Sequence, residues 1–246
     1  MNNERFAAII LAAGFSTRMG GVKKEFMKLN DDELTVLGSS VSVFASFKLV
    51  KTIVIAVREN DEEAGRRALP RDLFSRDDLS IIFVKGGKTR YGSVLNALSA
   101  LASLNPCYVL IHDGARPWVS VSLVKNIMSA VEKYGAVIPL LPLTETPKEI
   151  TEDKEQRTKS KEQRTKSKEQ TVFVKKHLKR KNIGVAQTPQ AFKFPEILHA
   201  YEKAAEAADE EFTDDAEIWG RFCTDVAVIP GEKENRKITF PEDIFE

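Results

Sequence analysis

The sequence predicts an α/β fold built on a doubly wound, mostly parallel sheet. Three observations carry that expectation. Apolar runs of strand length alternate with helix-period segments along most of the chain. The runs are nearly continuous in apolar residues, as strands covered by helices on both faces must be. The first run empties into a glycine-bearing loop, and such loops present backbone N–H groups at the carboxyl edge of a sheet.

Taken in chain order, a strand over 7–11 is followed by a helix over 36–47, a strand over 52–57 and a helix over 62–68. A strand over 80–84, a helix over 91–102, a strand over 108–112 and a helix over 121–133 come next. A strand over 136–140 and helices over 195–208 and 213–222 precede a last strand over 226–230. Thr213-Asp214-Asp215 supplies the N-terminal cap of the second of those helices. The pattern breaks between 151 and 170, where every residue is polar and EQRTKSK occurs twice in tandem, at 155–161 and 162–168. A stretch with no apolar residue cannot bury itself, so it is expected to be mobile or an extended, solvated hairpin.

Composition narrows the function classes. The 246 residues, 42% of them hydrophobic, suffice for a substantial core. A net charge of +1 gives no global attraction to nucleic acid or to a membrane surface, and the lysines of the repeat alternate with Glu and lack aromatics. Cys107 and Cys223 lie far apart and the three histidines are scattered, so no zinc spacing exists. No apolar segment approaches bilayer length, and the opening MNNERF lacks a signal-peptide core. A cytoplasmic enzyme is the expectation.

The loop after the first strand, Ala12-Ala13-Gly14-Phe15-Ser16-Thr17-Arg18, is neither a Walker A loop nor a dinucleotide fingerprint. Its amides, with Arg18 and Lys24 at fixed spacing, suit a triphosphate whose α-phosphorus is to be attacked. Gly86 and Gly87 precede Arg90 and Ser93. That pair permits close approach to a flat ligand with Ser93 reading a base edge, or forms a glycine turn capped by Ser93. Asp113 and Arg116, in His112-Asp113-Gly114-Ala115-Arg116-Pro117, face the same edge as the Gly14 loop. They suit contact with hydroxyls, phosphate or Mg²⁺, or a local ion pair. Thr188, in Thr188-Pro189-Gln190-Ala191-Phe192, suits a phosphate oxygen or a turn before a helix. Lys237 returns a cation to the sheet edge or is simply exposed.

In order, the segments AAGFSTRMG, KKEF, GGKTRYGSV, HDGARP, PLTETPK, AQTPQAF, TDDA and NRKITFPED resemble the 2-C-methyl-D-erythritol 4-phosphate cytidylyltransferase family from about residue 6 to 243. The resemblance implies one nucleotidyltransferase domain over 1–246, with a protruding β-arm over 140–182 that carries the repeat and joins a homodimer. It implies that Ala12 to Arg18, Gly86, Gly87, Arg90, Ser93 and Asp113 embrace CTP. Asp113, Arg116, Thr146, Arg180, Thr188 and Lys237 are implied to hold methylerythritol phosphate, and Arg18, Lys24 and Lys237 to stabilise the reacting phosphorus, with Mg²⁺ on the triphosphate. The chain departs from the family pattern at Lys23-Lys24-Glu25, so Lys23 is a rival to Lys24; Lys179 and Lys181 are rivals to Arg180. Ribitol 5-phosphate as acceptor, and a non-catalytic CTP sensor, are the alternatives.

Overall fold

The computed structural model describes residues 5–16, 20–29, 34–152, 172–206 and 212–244. Thr17, Arg18 and the repeat fall outside them, as does the rest of the polar segment 151–170 apart from Thr151 and Glu152. The chain divides into a unit of Met1–Leu140 with Ala186–Glu246, and a second unit of Leu141–Val185.

The first unit is organised around β1 (Phe6–Leu11), which pairs in parallel with both β2 (Val50–Val57) and β4 (Tyr108–Asp113). Its side chains alternate between two cores. Phe6, Ala8 and Ile10 join one with Val41 and Phe44 of α1 (Val36–Ala45) and Ile127 of α4 (Val121–Tyr134). Ala7 and Ile9 join the other with Leu98 of α3 (Arg90–Leu101), Tyr201 of α5 (Phe194–Glu206) and Trp219 of α6 (Asp215–Phe222). This two-sided burial is why the strands read as continuous apolar runs. Each fully buried large side chain contributes about 1.5–3 kcal/mol over exposure. The short α2 (Glu62–Arg67) lies between β2 and β3 (Ser80–Lys85).

The eight-stranded sheet runs β10-β5-β9-β4-β1-β2-β3, with β5 (Ala136–Pro142), β9 (Gln190–Lys193) and β10 (Ala227–Pro230); off this path β8 (Gly184–Ala186) pairs β5. The sequence pattern gives no β9. This four-residue strand is antiparallel to both β4 and β5. Its inversion brings its start, not its end, to the edge where β1 and β4 finish. That is why Thr188 arrives beside Asp113, whose backbone N–H donates to the Thr188 hydroxyl at 3.1 Å.

In the second unit, β6 (Lys148–Glu152) and β7 (Val172–His177) form an antiparallel pair with a register shift between Glu149 and Ile150. Ile150, Val172, Phe173 and Val174 are exposed on it. Among the described residues, no helix is long and apolar enough to cross a membrane.

Candidate active site

A cleft of about 280 Å³ opens at the carboxyl edge of the sheet. Its walls come from the loop after β1 (Ala13 to Ser16), the 3₁₀ turn Lys24–Phe26, the loop after β3 (Gly87 to Arg90), Asp113 at the end of β4, and the segment of Lys237 and Thr239. Among the described residues, Lys24, Lys88, Arg90 and Lys237 line it against Glu25 and Asp113, a balance that favours an anionic ligand.

Asp113 is the hub of one wall. Lys237 Nζ lies 2.9 Å from its carboxylate, Arg116 Nε 3.6 Å and Arg90 Nε 3.8 Å. Burial opposes its ionisation, but the three cations outweigh burial and hold the carboxyl well below the usual range. Arg90 is itself locked from behind. Both terminal nitrogens donate to Asp215 at 2.7 Å, and the Tyr201 hydroxyl donates to the same carboxylate at 2.5 Å. Asp215 is fully buried. The sequence pattern places it only within a cap, and Asp214 is the residue that caps α6, accepting from Glu217 N–H. The available signal was position: Asp215 shares a helical face with the buried Ile218 and Trp219, where an acid needs a partner.

Beneath Asp113 a polar network links Thr188, His112, Arg116 and Asn235, with Arg116 Nε and Asn235 Oδ1 buried without a hydrogen-bond partner. The Thr188 hydroxyl accepts the Asp113 N–H, and because the Arg116 carbonyl can only accept from Nε2 of the neutral His112 ring, Nδ1 accepts the Thr188 proton at 3.0 Å. His112 Nε2 then carries the ring proton and donates to the Arg116 carbonyl at 3.2 Å. Burial lowers the His112 pKa to about 4, so the ring is neutral. The Arg116 guanidinium donates to the Asn235 carbonyl at 2.7 Å, and Asn235 Nδ2 donates to the Thr188 carbonyl at 2.8 Å.

These bonds and the cleft lining show how several of the residues expected to contact ligand are engaged within the protein. Thr188 and Arg116 do not line the cleft; they hold Asp113 and the segment around Asn235 in place. Ala12 is fully buried and its N–H donates to the Ala56 carbonyl at 2.8 Å, so that amide is spent within the sheet. Gly86 is likewise outside the cleft lining, its N–H bonded to Val57 O at 2.7 Å. A Cβ on Gly86 would lie 2.3 Å from that of Ala13, and one on Gly87 2.5 Å from the Gly92 carbonyl carbon, so Gly86 serves close packing on the loop after β1 and Gly87 on the first turn of α3. Ser93 lines the cleft, but its hydroxyl accepts from Gly87 N–H and donates to Thr89 O, both at 3.0 Å. Thr89, not Ser93, caps α3.

The other wall carries Lys24 and Glu25. Lys24 is buried and its Nζ donates to the Ile238 carbonyl at 2.5 Å. The rival Lys23 does not line the cleft and pairs with Asp61 at 2.5 Å. Glu25 is 3% exposed, and burial raises its pKa even against its own backbone N–H and the charges of Lys24, Lys23 and Lys237. No sequence signal assigned it a role. Arg18 and Thr17, expected on the same wall, lie outside the described residues. Thr146 and Arg180 belong to the second unit, where both are exposed and Arg180 donates to the Thr144 carbonyl at 2.5 Å.

Among the described residues, no three His, Cys, Asp or Glu side chains gather for a metal ion. Asp113, the carboxylate considered for Mg²⁺, is ringed by cations that repel a dication, so the residues present do not fit a protein-held ion.

Residues 6–246 match the family model of 2-C-methyl-D-erythritol 4-phosphate cytidylyltransferase, IspD. The bifunctional enzyme IspD/IspF of Bartonella bacilliformis is 33% identical over 241 residues, covering 97% of this chain and 54% of that protein. The chain thus spans about half the length of such bifunctional relatives. The 2-C-methyl-D-erythritol 4-phosphate cytidylyltransferase of Bacillus cereus is 31% identical over 98% of this chain and 95% of its own. Among solved structures, the 4-diphosphocytidyl-2C-methyl-D-erythritol synthase of Anaerococcus prevotii superposes with a TM-score of 0.78 at 29% identity, covering 98% of this chain and 93% of that one. The Francisella tularensis 2-C-methyl-D-erythritol 4-phosphate cytidylyltransferase gives 0.74 at 26%, covering 98% and 97%.

Proposed function

The chain belongs to the 2-C-methyl-D-erythritol 4-phosphate cytidylyltransferase family, and from that premise we propose that it joins CTP to 2-C-methyl-D-erythritol 4-phosphate. The products are 4-diphosphocytidyl-2-C-methyl-D-erythritol and pyrophosphate. The observation that carries the reading is the cleft itself. The loop after β1, the segment Gly87 to Arg90 and four cations surround a space at the carboxyl edge of the sheet.

A phosphate oxygen of the sugar phosphate attacks the α-phosphorus of CTP. The new O–P bond forms as the bond to the bridging oxygen breaks, and pyrophosphate leaves with that electron pair. The attacking phosphate, with a second pKa near ~6, is already ionised at neutral pH, so no general base is needed. The barrier lies in bringing anions together and in the charge that develops on phosphorus. Lys24 and Lys237 supply cations from two sides of the cleft, and Arg18 is proposed as the third. Asp113, held ionised, fixes Lys237 and suits a ribose or sugar hydroxyl. Mg²⁺ accompanies the triphosphate as its counter-ion.

Thr146 and Arg180 are proposed as sugar-phosphate contacts contributed through a homodimer, with the apolar residues of β6 and β7 at its interface. Sedimentation equilibrium reads the assembly directly.

The reaction is tested by pyrophosphate release from CTP and Mg²⁺ with methylerythritol 4-phosphate or ribitol 5-phosphate in parallel. Release with the first alone is expected. Release with the second alone reassigns the acceptor, and CTP binding with neither reaction leaves a sensor. Lys24→Ala is expected to cut turnover by roughly 10²–10³ with little change in CTP affinity. A fall confined to affinity removes Lys24 from the transition state.

A further inference from the structure

The Gly14 carbonyl is held from outside the cleft by two cations of the same neighbourhood. Arg58, the residue after β2, donates from its terminal nitrogen to Gly14 O at 3.0 Å. Lys23 Nζ donates to the same oxygen at 3.4 Å and is anchored by Asp61 at 2.5 Å. The Arg58 guanidinium also stacks on Phe15, its carbon 4.1 Å from the ring centroid, although Phe15 is 63% exposed. Gly14, Phe15 and Ser16 line the cleft, whereas Arg58, Lys23 and Asp61 do not.

A trans peptide is planar, and its C=O and following N–H point in opposite directions. A Gly14 carbonyl turned outward therefore turns the Phe15 N–H inward. Left unheld, that peptide can flip and aim its carbonyl at an anionic ligand. We propose that Arg58 is a positioning residue: with Lys23 and Asp61 it latches the Gly14–Phe15 peptide so that its N–H, not its carbonyl, faces the ligand's phosphates. Arg58 touches no ligand in this arrangement and acts only through the loop. The proposal rests on the reading of the cleft as a triphosphate site.

Calorimetric titration with CTP, inorganic tripolyphosphate and cytidine separates the possibilities, using wild type, Arg58→Ala and Arg58→Lys. Arg58→Ala is expected to bind CTP and tripolyphosphate about tenfold more weakly and cytidine unchanged, with an unaltered thermal midpoint. Arg58→Lys, which keeps a donor of similar reach, is expected to recover most of the loss. The ratio of wild type to Arg58→Ala should persist at about 1 M salt, where the Debye length is about 3 Å. A ratio that vanishes in salt makes Arg58 a charge contact and overturns the latch. Equal tripolyphosphate affinity, or an equal loss for cytidine, also overturns it. If wild type binds tripolyphosphate but not CTP, the nucleotide reading fails while the latch is still measured; binding of neither overturns both.

Discussion

The two walls of the cleft each carry a buried carboxyl, and the two have opposite fates. Asp113 meets Lys237, Arg116 and Arg90 and is driven well below the ordinary carboxylate range. Glu25 is as thoroughly buried, yet its pKa rises, because burial outweighs the lysines around it. Its hydrogen-bond contact with the Ser16 hydroxyl is long, at 3.5 Å. The difference teaches that depth does not set the charge of this cleft. What sets it is how many cations converge on an acid within ion-pair distance, and whether those cations are themselves held. Arg90 is held by Asp215 and Arg116 by the Asn235 carbonyl. The Asp113 wall is thus preorganised for charge, whereas burial pushes the Glu25 carboxyl towards its protonated form.

Removing the better-compensated acid should therefore cost most. Asp113→Asn leaves Arg116, whose side chain is 12% exposed, without its counter-charge. Breaking a buried pair costs about 3–5 kcal/mol, and the solvent open to Lys237 places the expected loss near or below the low end of that range. Urea unfolding of the variant measures it. Unchanged stability would mean that the cations are compensated elsewhere and that the contrast between the walls is false.

The same wall shows what the sequence makes legible. Its strands were, because two-sided burial writes itself as apolar runs; β1, β2 and β4 lie within two residues of expectation. The strand β9 was not, because four residues after a proline carry too little pattern to separate from a turn. Within the site, Lys24, Gly87, Asp113 and Lys237 were legible as motif positions that line one cleft. The Arg90–Asp215 clamp was not, since its partners lie 125 residues apart and only the fold brings them together. Nor was the closed use of the Thr188 and Ser93 hydroxyls, which depends on which acceptor each meets.

His112 offers a second, somewhat smaller handle on the Asp113 wall. Its folded pKa of about 4 lies below the ordinary 6.5, with burial as the main cause. Between those values the unfolded chain binds a proton that the folded chain refuses. Stability is therefore expected to fall as pH drops from 6.5 towards 4, by up to about 3 kcal/mol. His112→Asn, which cannot titrate, should flatten that slope whatever its own stability. A slope unchanged in the variant would place the acid sensitivity in another group.

The smallest expected effect sharpens the other wall. A carboxyl whose pKa is raised on folding contributes stability below its unfolded pKa and loses that contribution as pH rises through the folded value. Glu25→Gln keeps the shape and removes the titration. The variant should be more stable than wild type at pH 8, by an amount within about 1 kcal/mol, and the advantage should shrink to nothing below about pH 4. The same substitution removes a negative charge from a cleft proposed to receive a triphosphate. Its CTP affinity should thus exceed that of wild type at pH 8, and the two should converge as pH falls. A Glu25→Gln protein that is less stable than wild type at pH 8 and binds CTP more weakly would mean that Glu25 is ionised and compensated like Asp113. The two walls would then be alike.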